Sequence, residues 1–373
     1  MTGHELRRLA SSGVSVRLTG LDRTRRAGGG LAALVRDQHV TGATSDPAAL
    51  AASLADSGAY DDLLRALAAR GVTADAAVRT LTAEDARSAC DALAPVHRET
   101  DGADGHVSVA LDARLARDAE ATVQQARALV REVGRPNATV EIPATDEGLG
   151  AVTACLAEGI GVNVTLLFSP ERYDQAREAH LAGLEQALAA GRALGPIASA
   201  AAFPLGRIDA AVDTLLDRAG VGASEAKALR GTAALAVARL AHERFTAHLT
   251  TPRWQHLAAH GARPQRLLWA SDTVPEPGPR ATRRITELAV PGTAHTMPEA
   301  TMRAVAAHGA VVPRTWTRHS YDASRKKLAY LKSFGIGFAD VASALEEEGL
   351  KKSHASWHSL LDAVSPALDE GRS

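Results

Sequence analysis

Primary amines are scarce in this chain. Of its 373 residues only six are lysine, namely Lys227, Lys326, Lys327, Lys332, Lys351 and Lys352, so the first 226 residues hold none. A site built from those residues has no side-chain amine for covalent work on a carbonyl. Aromatic residues make up only 3% of the chain, which leaves few platforms on which bases could stack. The formal net charge of -1 provides no basic footprint for a phosphate backbone. A small-molecule ligand is therefore expected, and nucleic acid is not. Cys90 and Cys155 are the only cysteines, too few for a disulfide framework, and both fall in Ala-rich, helix-like runs. No uninterrupted apolar stretch reaches the roughly 20 residues that span a bilayer, and MTGHELRRLASSG lacks the apolar core of a signal peptide. The simplest expectation is a soluble, cytoplasmic protein with no membrane partner.

What the chain does have is hydrophobic content, 46%, enough for a large core. That length suits one elaborated α/β barrel or two ordinary domains. Short β-branched runs (VSVRL, VSVALD, TVEIPA, GVNVTLLFS, RLLWAS) read as buried strands. Between them, ATVQQARALVREVG, ERYDQAREAHLAGLEQALAAGRALG and GTAALAVARLAHERFTAHL have helical period. Strand followed by helix, repeated, argues for parallel βα units. The first 100 residues are less regular. Helical spacing appears from Tyr60 to Leu64, and TADAAVRTLTAEDARSACDAL reads as two further helices before the next strand. Gly28 to Gly30 and the PEPGPR run that starts at Pro275 read as loops, and a helix pair around Phe334 to Leu368 forms a tail.

The segment VEIPATDEGLGAVTACLAEGIGVNVTLLFS, from Val140 to Ser169, resembles the catalytic core of transaldolases. The family pattern places its Schiff-base lysine immediately before I-P-A-T, and Glu141 stands there. The resemblance extends over nearly the whole chain. VSVRLTGLD is similar to the first strand, with Thr19 at the position of a catalytic aspartate. TGATSDPAAL is similar to G-V-T-S-N-P, with Asp46 replacing the asparagine. In HVSVALDARLARDAEAT the glutamate that activates water falls on Ala110. VNVTLLFSPERY keeps Asn163 and Thr165. ASAAAFPLGRID has Ala202 for a serine and retains Arg207, a phosphate contact in the family. In RLLWASDTVPEPG a second phosphate-binding cation falls on Pro275, and HTMPEAT, His295 to Thr301, completes the match. The resemblance implies a single (β/α)8 barrel with additional helices over residues 1–373, acting without a cofactor. Because a carboxylate cannot form an imine with a keto sugar, it also implies that transaldolase activity is lost.

In such a barrel the strand ends share one mouth, where Thr19, Asp46, Ala110, Glu141, Thr165, Ala202 and Arg207 should converge. Glu141 and Asp46 are the expected catalytic pair, since a partly desolvated carboxyl suits proton transfer. Thr19, Asn163, Thr165 and Arg207 are the expected substrate contacts, and no metal ligands are expected. In the competing reading Glu141 merely pairs with Arg207. Asn163 and Thr165 alternate with Val162 and Val164, and one of the two polar residues is expected inside the barrel and the other outside. Thr145, ahead of Asp146 and Glu147, reads as a helix N-cap. His295 is a weaker site candidate, whereas His242, His256 and His260 do not have metal-ligand spacing. The smaller, less polar replacements point to a wider, drier pocket. They suggest a repurposed enzyme of specialised metabolism performing a cyclisation, isomerisation, dehydration or lyase step, or else a non-catalytic relative that binds a metabolite or a protein.

Overall fold

A computed structural model describes residues 4–21, 23, 30–56, 58–271 and 279–370. Eight strands, β1 (Ser15–Thr19), β2 (Val40–Thr44), β3 (His106–Ala110), β4 (Ala138–Pro143), β5 (Val162–Thr165), β6 (Ser199–Pro204), β7 (Arg266–Ala270) and β8 (Ala294–Met297), pair in parallel. They follow one another in chain order, and β8 closes on β1. Helices surround the sheet, so the expected (β/α)8 barrel with additional helices is what forms.

The core lies between sheet and helices. Val16, Leu18, Val107, Val109, Val140, Ile142, Val162 and Val164 are buried there with Phe203 and Trp269. Their neighbours in sequence point the other way, because side chains alternate along a strand. Barrel interiors are usually filled by layers of branched aliphatic residues. Here many inward positions carry small or polar side chains, among them Ser108, Thr139, Asn163, Ala200, Ala202 and Ala294. Such an interior cannot fill itself, and a cavity opens at each end of the barrel.

Several local expectations need correction. TADAAVRTLTAEDARSACDAL belongs to one helix of 26 residues, Ala74–Glu99, capped by the Thr73 side chain. No glycine or internal proline interrupts that run before Pro95, so nothing splits it. GVNVTLLFS is a strand only as far as Thr165, because Leu166 takes φ 58° and turns the chain. Gly30 and Pro279 open the helices Gly30–Gln38 and Pro279–Glu287. Gly28, Gly29 and Pro275 to Gly278 lie outside the described residues.

The C-terminal pair is Arg318–Ser333 and Phe338–Glu370. The second helix is no tail. Trp357, Leu360, Val364 and Leu368 form one helical stripe and bury against Tyr60, Leu64, Leu67, Val78 and Leu81. Each such side chain contributes about 1.5–3 kcal/mol, which anchors the helix across the C-terminal ends of the strands. Among the described residues no single helix is long and apolar enough to cross a membrane.

Candidate active site in the barrel mouth

A cavity of about 240 Å³ opens where the strands end. Asp46, Ala110, Glu141, Thr165 and Arg207 line it together with Lys352 from the C-terminal helix. Five positions singled out in the sequence thus converge from β2, β3, β4, β5 and the helix Leu205–Arg218.

Glu141 stands in register with Ala110 on one side and Asn163 on the other. Its Oε1 accepts a bond from Asn163 Nδ2 at 3.4 Å. Burial pushes its carboxyl up to about 8, against the Asn163 bond, and the Asp46 charge pushes the same way. At neutral pH Glu141 is therefore mostly protonated, a proton donor facing the cavity. The competing Glu141–Arg207 pair does not form. Arg207 instead pairs with Glu348 of the C-terminal helix at 3.1 Å, and its guanidinium lies over the Phe168 ring, 5.3 Å from the centroid.

Asp46 follows β2 and caps the next helix, its Oδ1 accepting from Ala48 N at 2.9 Å. This holds its carboxyl at the cavity edge. Thr145 is the expected N-cap, accepting from Gly148 N at 2.9 Å while donating to Ala116 O at 2.6 Å.

Other expected residues fall elsewhere. Thr19 is tied to Thr296 by a 2.8 Å hydroxyl contact and is not among the cavity-lining residues. Asn163 and Thr165 both face inward, because residues two apart on a strand share a face. Thr165 lines the mouth, whereas Asn163 lines the cavity at the opposite end. Ala202 belongs to the small apolar cluster inside the barrel. His295 is fully buried on the helix-facing side of β8, with Nε2 against Leu288 O at 3.2 Å and its pKa lowered to about 4 by burial. It is a core histidine. The Pro275 position lies outside the described residues.

The C-terminal helix supplies what the sequence reading missed. Gly349 packs against the side-chain ends of Leu166 and Arg207, where a Cβ would come within 2.9 Å of Leu166 Cδ2 and 3.1 Å of Arg207 Nη1 and push both aside. Three residues on, Lys352 lines the cavity. The available signal was the apolar stripe from Trp357 to Leu368, which shows that the helix must bury one face.

The Transaldolase/Fructose-6-phosphate aldolase family profile matches residues 21–364. A transaldolase of Thermobifida fusca (strain YX) is 50% identical over 98% of this chain and 99% of its own length. One of Parafrankia sp. (strain EAN1pec) is 47% identical over 98% of each. Transaldolase 1 of Streptomyces avermitilis is 44% identical, over 98% of this chain and 96% of its own. These end-to-end identities overturn the expectation of a repurposed cyclase, isomerase or lyase of specialised metabolism, and that of a non-catalytic relative. That expectation rested on the exchange at Glu141, on the smaller or less polar residues at Thr19, Ala110 and Ala202, and on the absence of lysine from the first 226 residues; Lys352, from the C-terminal helix, lines the mouth. The chain belongs to the transaldolase/fructose-6-phosphate aldolase family of enzymes.

Proposed function

We propose that this protein carries out the aldol cleavage and transfer for which its relatives are named, on a keto sugar phosphate held in the mouth cavity, in the cytoplasm and without a cofactor. The observation that supports this reading is the amine of Lys352 in the same cavity as Glu141, Asp46 and Arg207. The Lys352 amine adds to the ketone carbon while one of its protons passes to the carbonyl oxygen; the hydroxyl so formed then leaves as water and a protonated imine remains. Glu141, protonated at neutral pH, supplies the proton that turns the departing hydroxyl into water. Asp46 then accepts the proton of the hydroxyl beside the scissile bond. The C–C electron pair moves into the imine, leaving an enamine on Lys352 and releasing an aldehyde. Addition of the enamine to a second aldehyde and hydrolysis return the free amine. Arg207, half-buried and steered by Glu348 and Phe168, is placed to hold the phosphate, and Thr165 to hydrogen-bond a sugar hydroxyl.

The test is reductive trapping. Incubation with fructose 6-phosphate and borohydride should give a stable adduct that peptide mapping places on Lys352. An unmodified mass, or an adduct confined to another lysine, would overturn the assignment of Lys352 as the amine.

A further inference from the structure

We infer that the N-terminal end of the barrel holds a second binding site, for the phosphate or carboxylate group of a small anionic metabolite. A cavity of about 340 Å³ opens there, and it shares no lining residue with the mouth. His106, Val162, Ser199 and Arg266, the first residues of β3, β5, β6 and β7, form part of its wall.

Arg17 carries the inference. It lies in the middle of β1, is 4% exposed and lines the cavity. Its Nε has no hydrogen-bond partner, and Asp104, whose charge acts on it, is already bonded to Arg266 and Ser15. Room for the side chain comes from Gly42 on β2, where a Cβ would sit 3.0 Å from Arg17 Cγ. The other arginines of the cavity are already matched. Arg266 bonds Ser15 Oγ and Asp104 Oδ1, both at 2.6 Å. Arg263 bonds Gly195 O at 2.9 Å and Asp101 Oδ2 at 3.0 Å. Two carboxylates thus face three guanidiniums, and one positive charge stays uncompensated. Burial depresses Arg17 only to about 10, so it remains charged at neutral pH and cannot relieve itself by losing a proton.

The rest of the wall is polar and uncharged. His106 donates through Nε2 to Gly102 O at 2.9 Å and burial lowers its pKa to about 4, so its unpartnered Nδ1 is an acceptor. Ser108 and Thr139 hold each other's hydroxyls at 3.0 Å, and Thr139 donates on to Val107 O at 3.3 Å, so the Arg17 guanidinium is the group left to receive an oxyanion. A buried, unpaired charge is costly and is retained where a partner arrives from outside, and a guanidinium fork matches phosphate or carboxylate oxygens two at a time.

The experiment is calorimetric titration in low-salt buffer, in the Arg207→Gln background so that the mouth contributes little anion binding. Inorganic phosphate is one probe and malonate the other; the tighter of the two names the group. Saturable binding at one site is expected, weakened tenfold or more by adding Arg17→Met and also by adding Arg263→Ser at the cavity rim. Should Arg17→Met fail to fold, Arg263→Ser decides alone. No saturable heat with either probe, or heat that both additions leave unchanged, would overturn the site.

Discussion

Each end of this barrel keeps an ionisable side chain that burial opposes, and the two ends resolve the conflict differently. At the mouth, Glu141 is pushed up to about 8; it escapes its charge by taking a proton, and the proton is then available for chemistry. At the floor, Arg17 is pushed down only to about 10 and stays cationic at any pH where the protein works. A carboxyl in a dry pocket is thus self-relieving and becomes an acid, while a guanidinium in a dry pocket waits for an anion. Both depend on the same departure from a filled barrel, the small and polar inward residues between them.

The sharpest break in the comparison would come from the amine. Lys352→Met should lower turnover of fructose 6-phosphate by on the order of 10⁴-fold or more, as loss of a covalent nucleophile does, with the protein folded because Lys352 is exposed on its helix. Steady-state kinetics with a coupled assay for the released aldehyde reads this directly. Adding Glu141→Lys to that variant puts an amine at the strand position and should restore part of the rate. If Lys352→Met retains full activity, the mouth works without that amine.

How much of this was legible in the sequence depended on the element. The strands could be read because β-branched runs such as VNV and VSV in β5 and β3 must bury, and the mouth residues Asp46, Glu141, Thr165 and Arg207 followed from the strand ends. Lys352 could not be placed, because the periodicity of a helix shows which face is apolar and not what that face covers. Distance along the chain from the strands is not distance in space. Asn163 was misassigned through strand parity, an error the sequence alone corrects. Arg17 is visible in the sequence as a charge in the middle of VSVRL, inside an otherwise buried strand.

Removing the mouth carboxyl tests the self-relieving half of the comparison. Glu141→Gln is nearly isosteric and should cut kcat by about 10²- to 10⁴-fold. Its effect on stability should have the opposite sign and depend on pH. The native pKa of about 8 exceeds the ordinary 4.5, so between those values the folded protein holds a proton that the unfolded chain gives up. Wild-type stability therefore falls as pH rises through that window and levels off above 8. Urea denaturation should show the variant gaining about 1–3 kcal/mol on the wild type between pH 4.5 and pH 8.5. A pH-independent difference would mean that Glu141 is not the proton holder.

At the floor, Arg17→Met should stabilise the protein by about 1–4 kcal/mol in phosphate-free buffer, since an apolar side chain of similar length replaces a buried charge with no partner. In the Arg207→Gln background, added phosphate should then narrow the gap by stabilising the protein that keeps Arg17 more than the one that lacks it. A large destabilisation in the same denaturation series would make Arg17 a structural residue and remove the contrast between the two ends.

The smallest expected effect comes from Asp46→Asn, and it separates the two carboxyls of the mouth. Asparagine caps a helix as well as aspartate does, so the bond to Ala48 N survives and stability should move by no more than about 0.5 kcal/mol. The negative charge is gone, however, and that charge is one of the influences raising Glu141. Burial remains the larger cause, so the pKa of Glu141 should drop only part of the way from about 8, and the pH profile of kcat should shift to lower pH with it. The variant also lacks a carboxylate to take the proton of the cleaving hydroxyl, so kcat should fall as well, and less than in Glu141→Gln if water can substitute at the cavity edge. A profile that stays in place would show that Glu141 is governed by burial alone, and that Asp46 serves as a helix cap beside the site.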